Sequence, residues 1–191
     1  MALLTHKRPE AALVLSDGRI FRGRSAGAPG LASGETVFNT SMTGYQEILT
    51  DPSYTGQLVT LTVAHVGNTG WNAKDMESRA IAAAGLIVNR MTEVPSNARS
   101  EVSLVEVLRT EGIVAISDID TRALTMHLRS TGAQPGAIVA AEAGALTEAD
   151  LEKAKAAASS WGQMVGQDLA SVVNGRKAPG RTPRPNTPRA L

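Results

Sequence analysis

Apolar positions along this chain come in short clusters separated by glycine, proline and polar turns, and none holds a helical or heptad period for long. Ala11–Leu15 and Arg19–Arg24 flank Ser16-Asp17-Gly18, and an Asp-Gly pair between two strand-like runs predicts a β-hairpin. A glycine-rich connection, Ser25 to Gly34, leads to a predicted strand over Glu35–Thr40. Gly44–Thr50 suits one or two helical turns, which Asp51-Pro52 must end, because proline disfavours the α region at the residue before it. Gln57–Val66 is dense in β-branched residues and reads as a strand, broken by Gly67-Asn68-Thr69-Gly70; Ile81–Val88 reads as another.

Farther along, helix signals become more frequent. Ser103-x-x-Glu106 has the form of a capping box opening a helix that Gly112 closes. Ile113–Ile116 is a short buried strand, and Asp120 is placed to cap a helix over Thr121–Arg129, with Leu124 and Leu128 one turn apart on its core face. Gly136–Ala140 is strand-like, and Thr147-x-x-Asp150 opens a last helix running to about Ala158. The pattern predicts an α/β or α+β domain with a β-rich first half and a helix-richer second half.

Composition narrows the class. At 191 residues, 42% hydrophobic and 19% charged, the chain can bury a real core as one ordinary domain or two small ones, and neither disorder nor a coiled coil describes it. No apolar run reaches the roughly 18 residues of a membrane-spanning helix, and the opening MALLTHKRPE has neither a secretory nor a transit pattern, so a cytoplasmic location is expected. The absence of cysteine removes disulfides, thiolate metal sites, iron–sulfur clusters and cysteine nucleophiles from these residues. The formal net charge of +1 hides an asymmetry: Arg176, Lys177, Arg181, Arg184 and Arg189 lie in a Pro-rich terminal stretch without acids, so residues 1–173 carry about −4. That stretch, 174–191, is expected to be disordered in isolation. It reads as a solvated terminus; a phosphate-binding arm is the alternative, weakened by the lack of aromatic residues to stack on bases.

Few residues are spaced for chemistry. His6, His65 and His127 have no i, i+4 partner, which argues against a metal site. His65, at the end of an apolar strand, reads as an interior histidine, with a pocket wall as the alternative. Asp118 and Asp120 follow a buried strand, where α/β enzymes place catalytic carboxylates, but helix capping by Asp120 and turn work or pairing with Arg122 by Asp118 are the simpler uses. The glycines of 23–34 match neither a dinucleotide fingerprint nor a P-loop. Val37–Tyr54 is unusual: Asn39, Thr40, Ser41, Thr43, Tyr45, Gln46, Thr50, Ser53 and Tyr54 supply more hydroxyls and amides than a core segment needs, and they predict a polar network that fixes a loop or faces a ligand or partner.

This segment also carries a family resemblance. Phe38–Tyr54 (FNTSMTGYQEILTDPSY) resembles the signature of the small, glutaminase subunit of carbamoyl-phosphate synthetase, and Leu13–Gly23, Gln57–Asn68, Gly112–Ala133 and Asp168-Leu169-Ala170 keep that family's order. The likeness covers about residues 11–173, leaving 1–10 as an N-terminal extension and 174–191 as a basic tail. It implies the N-terminal domain of that subunit, an α/β domain of mixed β/β/α layers. It further implies a large-subunit partner that binds ATP and magnesium, with no cofactor or metal in this chain. In the family a cysteine-dependent amidotransferase domain hydrolyses glutamine, and the large subunit uses the ammonia, bicarbonate and two ATP to make carbamoyl phosphate for arginine and pyrimidine synthesis. That domain is not expected in these residues, which therefore should not hydrolyse glutamine alone. The resemblance assigns glutamine contact to Ser53, against the simpler view that Ser53 only closes its own turn. Val63-Ala64 departs from the family's usual pattern and puts the local geometry beside His65 in question.

Overall fold

A computed structural model describes residues 8–162. His6, the Asp168-Leu169-Ala170 match and the basic stretch 174–191 lie outside the described residues. Among the described residues, seven strands carry the domain: β1 (Glu10–Leu15), β2 (Ile20–Ser25), β3 (Gly30–Asn39), β4 (Gln57–Val66), β5 (Gly85–Met91), β6 (Val114–Ser117) and β7 (Gln134–Ala140). They close into one mixed barrel in the order β1-β2-β6-β5-β4-β3-β7. The β3-β4-β5-β6 side is parallel, and β1 pairs antiparallel with both β2 and β7. Closure removes the long free edges that invite pairing with other chains.

Strand alternation divides the apolar side chains among three clusters. Leu13, Leu58, Ile87, Ile116 and Ile138 point into the barrel, where Leu124 and Leu128 of α3 (Thr121–Thr131) join them. The neighbouring positions Val59, Leu61, Leu86, Val88 and Ala115 face outward against α1 (Tyr45–Thr50) and α2 (Leu104–Thr110). On the opposite side, Ala12, Val14, Ala137 and Val139 pack against Leu151, Ala154 and Ala158 of α4 (Glu148–Ser160), small residues that let helix and sheet approach closely. Helix, sheet, sheet and helix thus follow one another as layers, which is the expected α/β class.

The helix starts follow their capping residues. Asp120 Oδ1 accepts the Ala123 amide at 2.9 Å, Ser103 Oγ accepts that of Glu106 at 3.2 Å, and Thr147 with Asp150 forms a complete capping box. Two strand starts differ most from expectation. β3 begins at Gly30, inside the stretch read as a connection, because Gly30–Gly34 pairs with Gly136–Ala140 of β7. β5 begins at Gly85 and not Ile81: the Ala82 and Ala83 amides donate to the Leu49 carbonyl at the end of α1, so 81–83 is buried without joining a long ladder.

Candidate functional site

The polar segment after β3 divides into residues that anchor and residues that are presented. Gly44 starts α1 in the left-handed conformation (φ 80°), which a side chain would resist. From α1, the Tyr45 hydroxyl donates to the Gly70 carbonyl and accepts from Thr69 Oγ1 at 2.8 Å. Burial, moderated by the Thr69 hydrogen bonds, raises the pKa of this phenol, so it stays protonated. Gln46 clamps the Asn72 backbone from both sides, its Nε2 donating to the carbonyl and its Oε1 accepting the amide. Thr50 Oγ1 donates to the Gln46 carbonyl at 2.8 Å and accepts the Glu77 amide at 2.9 Å. α1 is therefore the peg on which the long β4–β5 connection hangs. In contrast, Thr40, Ser41, Met42 and Thr43 are exposed, Met42 by 75%.

Ser53 lies in the presented group. Asp51, held extended by the following proline (ψ 121°), caps a 3-10 turn over Pro52–Tyr54, and its Oδ1 accepts the Ser53 amide at 2.8 Å. The Tyr54 ring packs against the outer apolar cluster, and its hydroxyl accepts from Asn39 Nδ2 at 2.9 Å. Ser53 itself is exposed, and among the described residues its hydroxyl has no hydrogen-bond partner. The backbone of this turn is fixed while the serine oxygen faces outward. Tyr45 differs: at 7% exposure it is an internal anchor.

The other candidates separate. His65 is exposed, which corrects the interior reading. β4 advances from Leu61 to His65 while β5 advances only from Val88 to Arg90, and this bulge turns the strand end outward at Val63-Ala64. His65 instead lines a recess of about 70 Å3 with Ser41, Met42, Ile48, Asn68 and Thr69, the pocket-wall alternative. Ser53, Asp118 and Asp120 are not among the lining residues of that recess. Asp120 is occupied as a cap. Asp118, in the left-handed region (φ 62°), pairs with Arg8 Nη2 at 2.6 Å and more distantly with Arg90, and not with Arg122. An autonomous active centre built from Ser53, His65, Asp118 and Asp120 is not assembled. Among the described residues no cluster of three His, Asp or Glu is placed to hold a metal ion, and no helix is long and apolar enough to cross a membrane.

One polar contact was not visible in the sequence. His127 Nε2 meets Asp17 Oδ2 at 2.5 Å, and Gln134 joins them, pinning the β1–β2 turn to α3 and β7. Burial acts against the Asp17 carboxylate, but hydrogen bonds from the Arg19 amide, His127 and Gln134 outweigh it and hold its pKa below the ordinary aspartate range. A depressed folded pKa contributes stability above the unfolded value, about 4, which is lost as pH falls through the folded one. Asp17→Asn should therefore flatten the acid limb of stability below about pH 4, measured as urea midpoints against pH. An unchanged acid limb would show that Asp17 binds protons equally in both states.

Comparison with known proteins assigns the fold to a family. The family model of the carbamoyl-phosphate synthase small chain, CPSase domain, matches residues 13–138. Carbamoyl phosphate synthase small chains of Xanthomonas axonopodis pv. citri (strain 306) and Neisseria gonorrhoeae are each 56% identical over 164 residues, covering 86% of this chain and 40% and 42% of theirs. That of Vibrio cholerae serotype O1 is 53% identical over 168 residues, 88% of this chain and 43% of its own. The chain thus spans about two fifths of the length of these curated relatives. Among solved structures, an aminopeptidase from Aneurinibacillus sp. strain AM-1 aligns with a TM-score of 0.40 and 16% identity over 70% of this chain and 31% of that one, too slight a likeness to carry argument. With about two thirds of its residues on the family model and more than half of the aligned residues identical to curated members, this chain belongs to the carbamoyl-phosphate synthase small chain family and carries its CPSase domain.

Proposed function

We propose that this domain serves a glutamine-dependent carbamoyl-phosphate synthase by docking the large subunit and walling one side of the glutamine pocket, where Ser53 offers its hydroxyl to the substrate. The carrying observation is the Ser53 turn: its backbone is restrained at Asp51 and Tyr54, its hydroxyl is exposed and has no partner in the described residues. A restrained donor contributes more to binding than a mobile one, because less conformational entropy is lost on contact.

The chemistry lies outside these residues. On the family resemblance, the thiolate that attacks the glutamine amide belongs to an amidotransferase domain, in keeping with a chain that has no cysteine, and bicarbonate, ATP and magnesium belong to the large subunit. This domain's part is to orient glutamine and to seat the small chain so that ammonia is delivered without escaping to solvent. The alternative of nucleic-acid binding by 174–191 concerns residues outside those described.

The test has two arms. Mixed with the large subunit, the 191-residue chain should elute as a complex, and failure to do so while its circular dichroism stays native would overturn the docking role. In the complete complex containing this domain, Ser53→Ala should raise the glutamine KM about three- to tenfold, the effect of one lost hydrogen bond. Synthesis from added ammonia should be unchanged. An unaltered glutamine KM would remove Ser53 from the pocket.

A further inference from the structure

Asn39 ends β3 between the two presented loops and makes a hydrogen bond to each. Its Oδ1 accepts the Ser41 amide at 2.7 Å, at the start of the exposed run Thr40–Thr43. Its Nδ2 donates to the Tyr54 hydroxyl at 2.9 Å, directly after Ser53. One amide group thus ties the Thr40–Thr43 loop to Tyr54, 15 positions beyond Asn39 in the chain. Within the Ser53 turn itself, Asp51 Oδ1 accepts the Ser53 amide and Thr55 Oγ1 donates to the Pro52 carbonyl.

We infer that Asn39 and the Tyr54 hydroxyl form a positioning pair that sets where Ser53 stands relative to the Thr40–Thr43 loop. This rests on the glutamine-pocket reading of Ser53 and deepens it. Neither residue meets the substrate. Tyr54 has its ring on the apolar cluster outside β4 and its hydroxyl on the strand end, so the residue beside Ser53 is fixed from two directions. An asparagine suits this because it carries a donor and an acceptor on one planar group. A leucine of similar shape would hold neither loop. An aspartate would still accept the Ser41 amide and could accept the Tyr54 O–H with the donor reversed.

Two measurements test the pair. In the complete complex containing this domain, Tyr54→Phe and Asn39→Leu should each raise the glutamine KM about two- to fivefold with kcat and ammonia-supported synthesis unchanged, and Asn39→Asp should restore most of the loss. In a Ser53→Ala background they should add little, since they act through Ser53. If Ser53→Ala raises KM and Tyr54→Phe does not, the positioning role is overturned while the pocket reading stands. If Ser53→Ala has no effect, the pocket reading itself has failed. Equal effects with and without Ser53 would also overturn the inference. In the 191-residue chain alone, Tyr54→Phe should speed hydrogen exchange at the Ser53 amide several-fold with global stability kept, and an unchanged rate would show that the hydroxyl does not restrain the turn. This second readout holds even if Asn39→Leu fails to fold.

Discussion

Gln46→Ala should lower the urea midpoint of the 191-residue chain by roughly 1–2 M, far more than its position on a six-residue helix suggests. The side chain is 4% exposed and serves the backbone of another segment, donating to the Asn72 carbonyl and accepting its amide. Truncation leaves two buried backbone groups without partners, at about 1–3 kcal/mol each, so a loss of roughly 2–5 kcal/mol is expected. Gln46→Met separates the causes. Methionine fills nearly the same volume but makes neither bond, so it should be almost as damaging as alanine. A Met variant near wild-type stability would mean that packing, and not the clamp, holds the segment.

The clamp also predicts where the damage spreads. Asn72 is followed by an Asx-type turn in which its own Oδ1 accepts the Lys74 and Asp75 amides, and Asp75 pairs with Arg99 at 2.7 Å. Tyr45, also on α1, holds the near side of the same connection through Thr69 and Gly70. Losing Gln46 should therefore loosen residues 67–84 before it affects the antiparallel half of the barrel, and amide exchange should rise there first. Ser53→Ala, on an exposed and locally capped turn, should shift stability by no more than about 0.5 kcal/mol. Two polar residues of one motif are thus expected to have opposite consequences for stability: losing Gln46 loosens the fold, and losing Ser53 leaves it untouched.

That division explains how much of the site was legible in the sequence. The excess of polar groups over Val37–Tyr54 shows in composition alone, but Gln46 and Ser53 look equally polar on paper. Only the path of 67–84 across α1 decides which is buried. Likewise Asp17 and His127 are 110 positions apart, and no spacing rule joins them. Local signals fared better: β4 spans Gln57–Val66 as its β-branched residues predict, and Asp120, Ser103 and Thr147 open the helices they were expected to cap. His65 misled because the apolar strand that it ends bulges before reaching it. Gly30–Gly34 misled because glycine disfavours strands by propensity, whereas here Gly34 is required by proximity: a Cβ on it would lie 2.5 Å from the Gly56 carbonyl oxygen. Closure of the sheet into a barrel is a property of the β2–β6, β3–β7 and β1–β7 pairings, none of which joins strands adjacent in sequence.

The β2–β6 seam makes a second large effect expected, at Gly23. Only Arg24↔Ser117 and Ser25↔Ile116 pair the two strands, so the barrel closes through a short ladder, continued by the Ala26 amide on the Ala115 carbonyl at 2.9 Å. A Cβ on Gly23 would lie 2.2 Å from the Ser117 carbonyl oxygen and 2.6 Å from Ile119 Cγ2. Isoleucine can shift, but a backbone oxygen in β6 moves only with its strand. Gly23→Ala should therefore cost at or above the upper end of the roughly 1–3 kcal/mol typical of overpacking. The seam should open as well, visible as faster exchange at the Ala26 amide, while the β4–β5 ladder keeps its protection. Adding Ile119→Val relieves the side-chain contact but not the backbone one, so it should rescue little. Recovery in that double variant, or an Ala26 amide as protected as in the wild type, would show that the seam tolerates a methyl group and that closeness of the strands is not why glycine stands there.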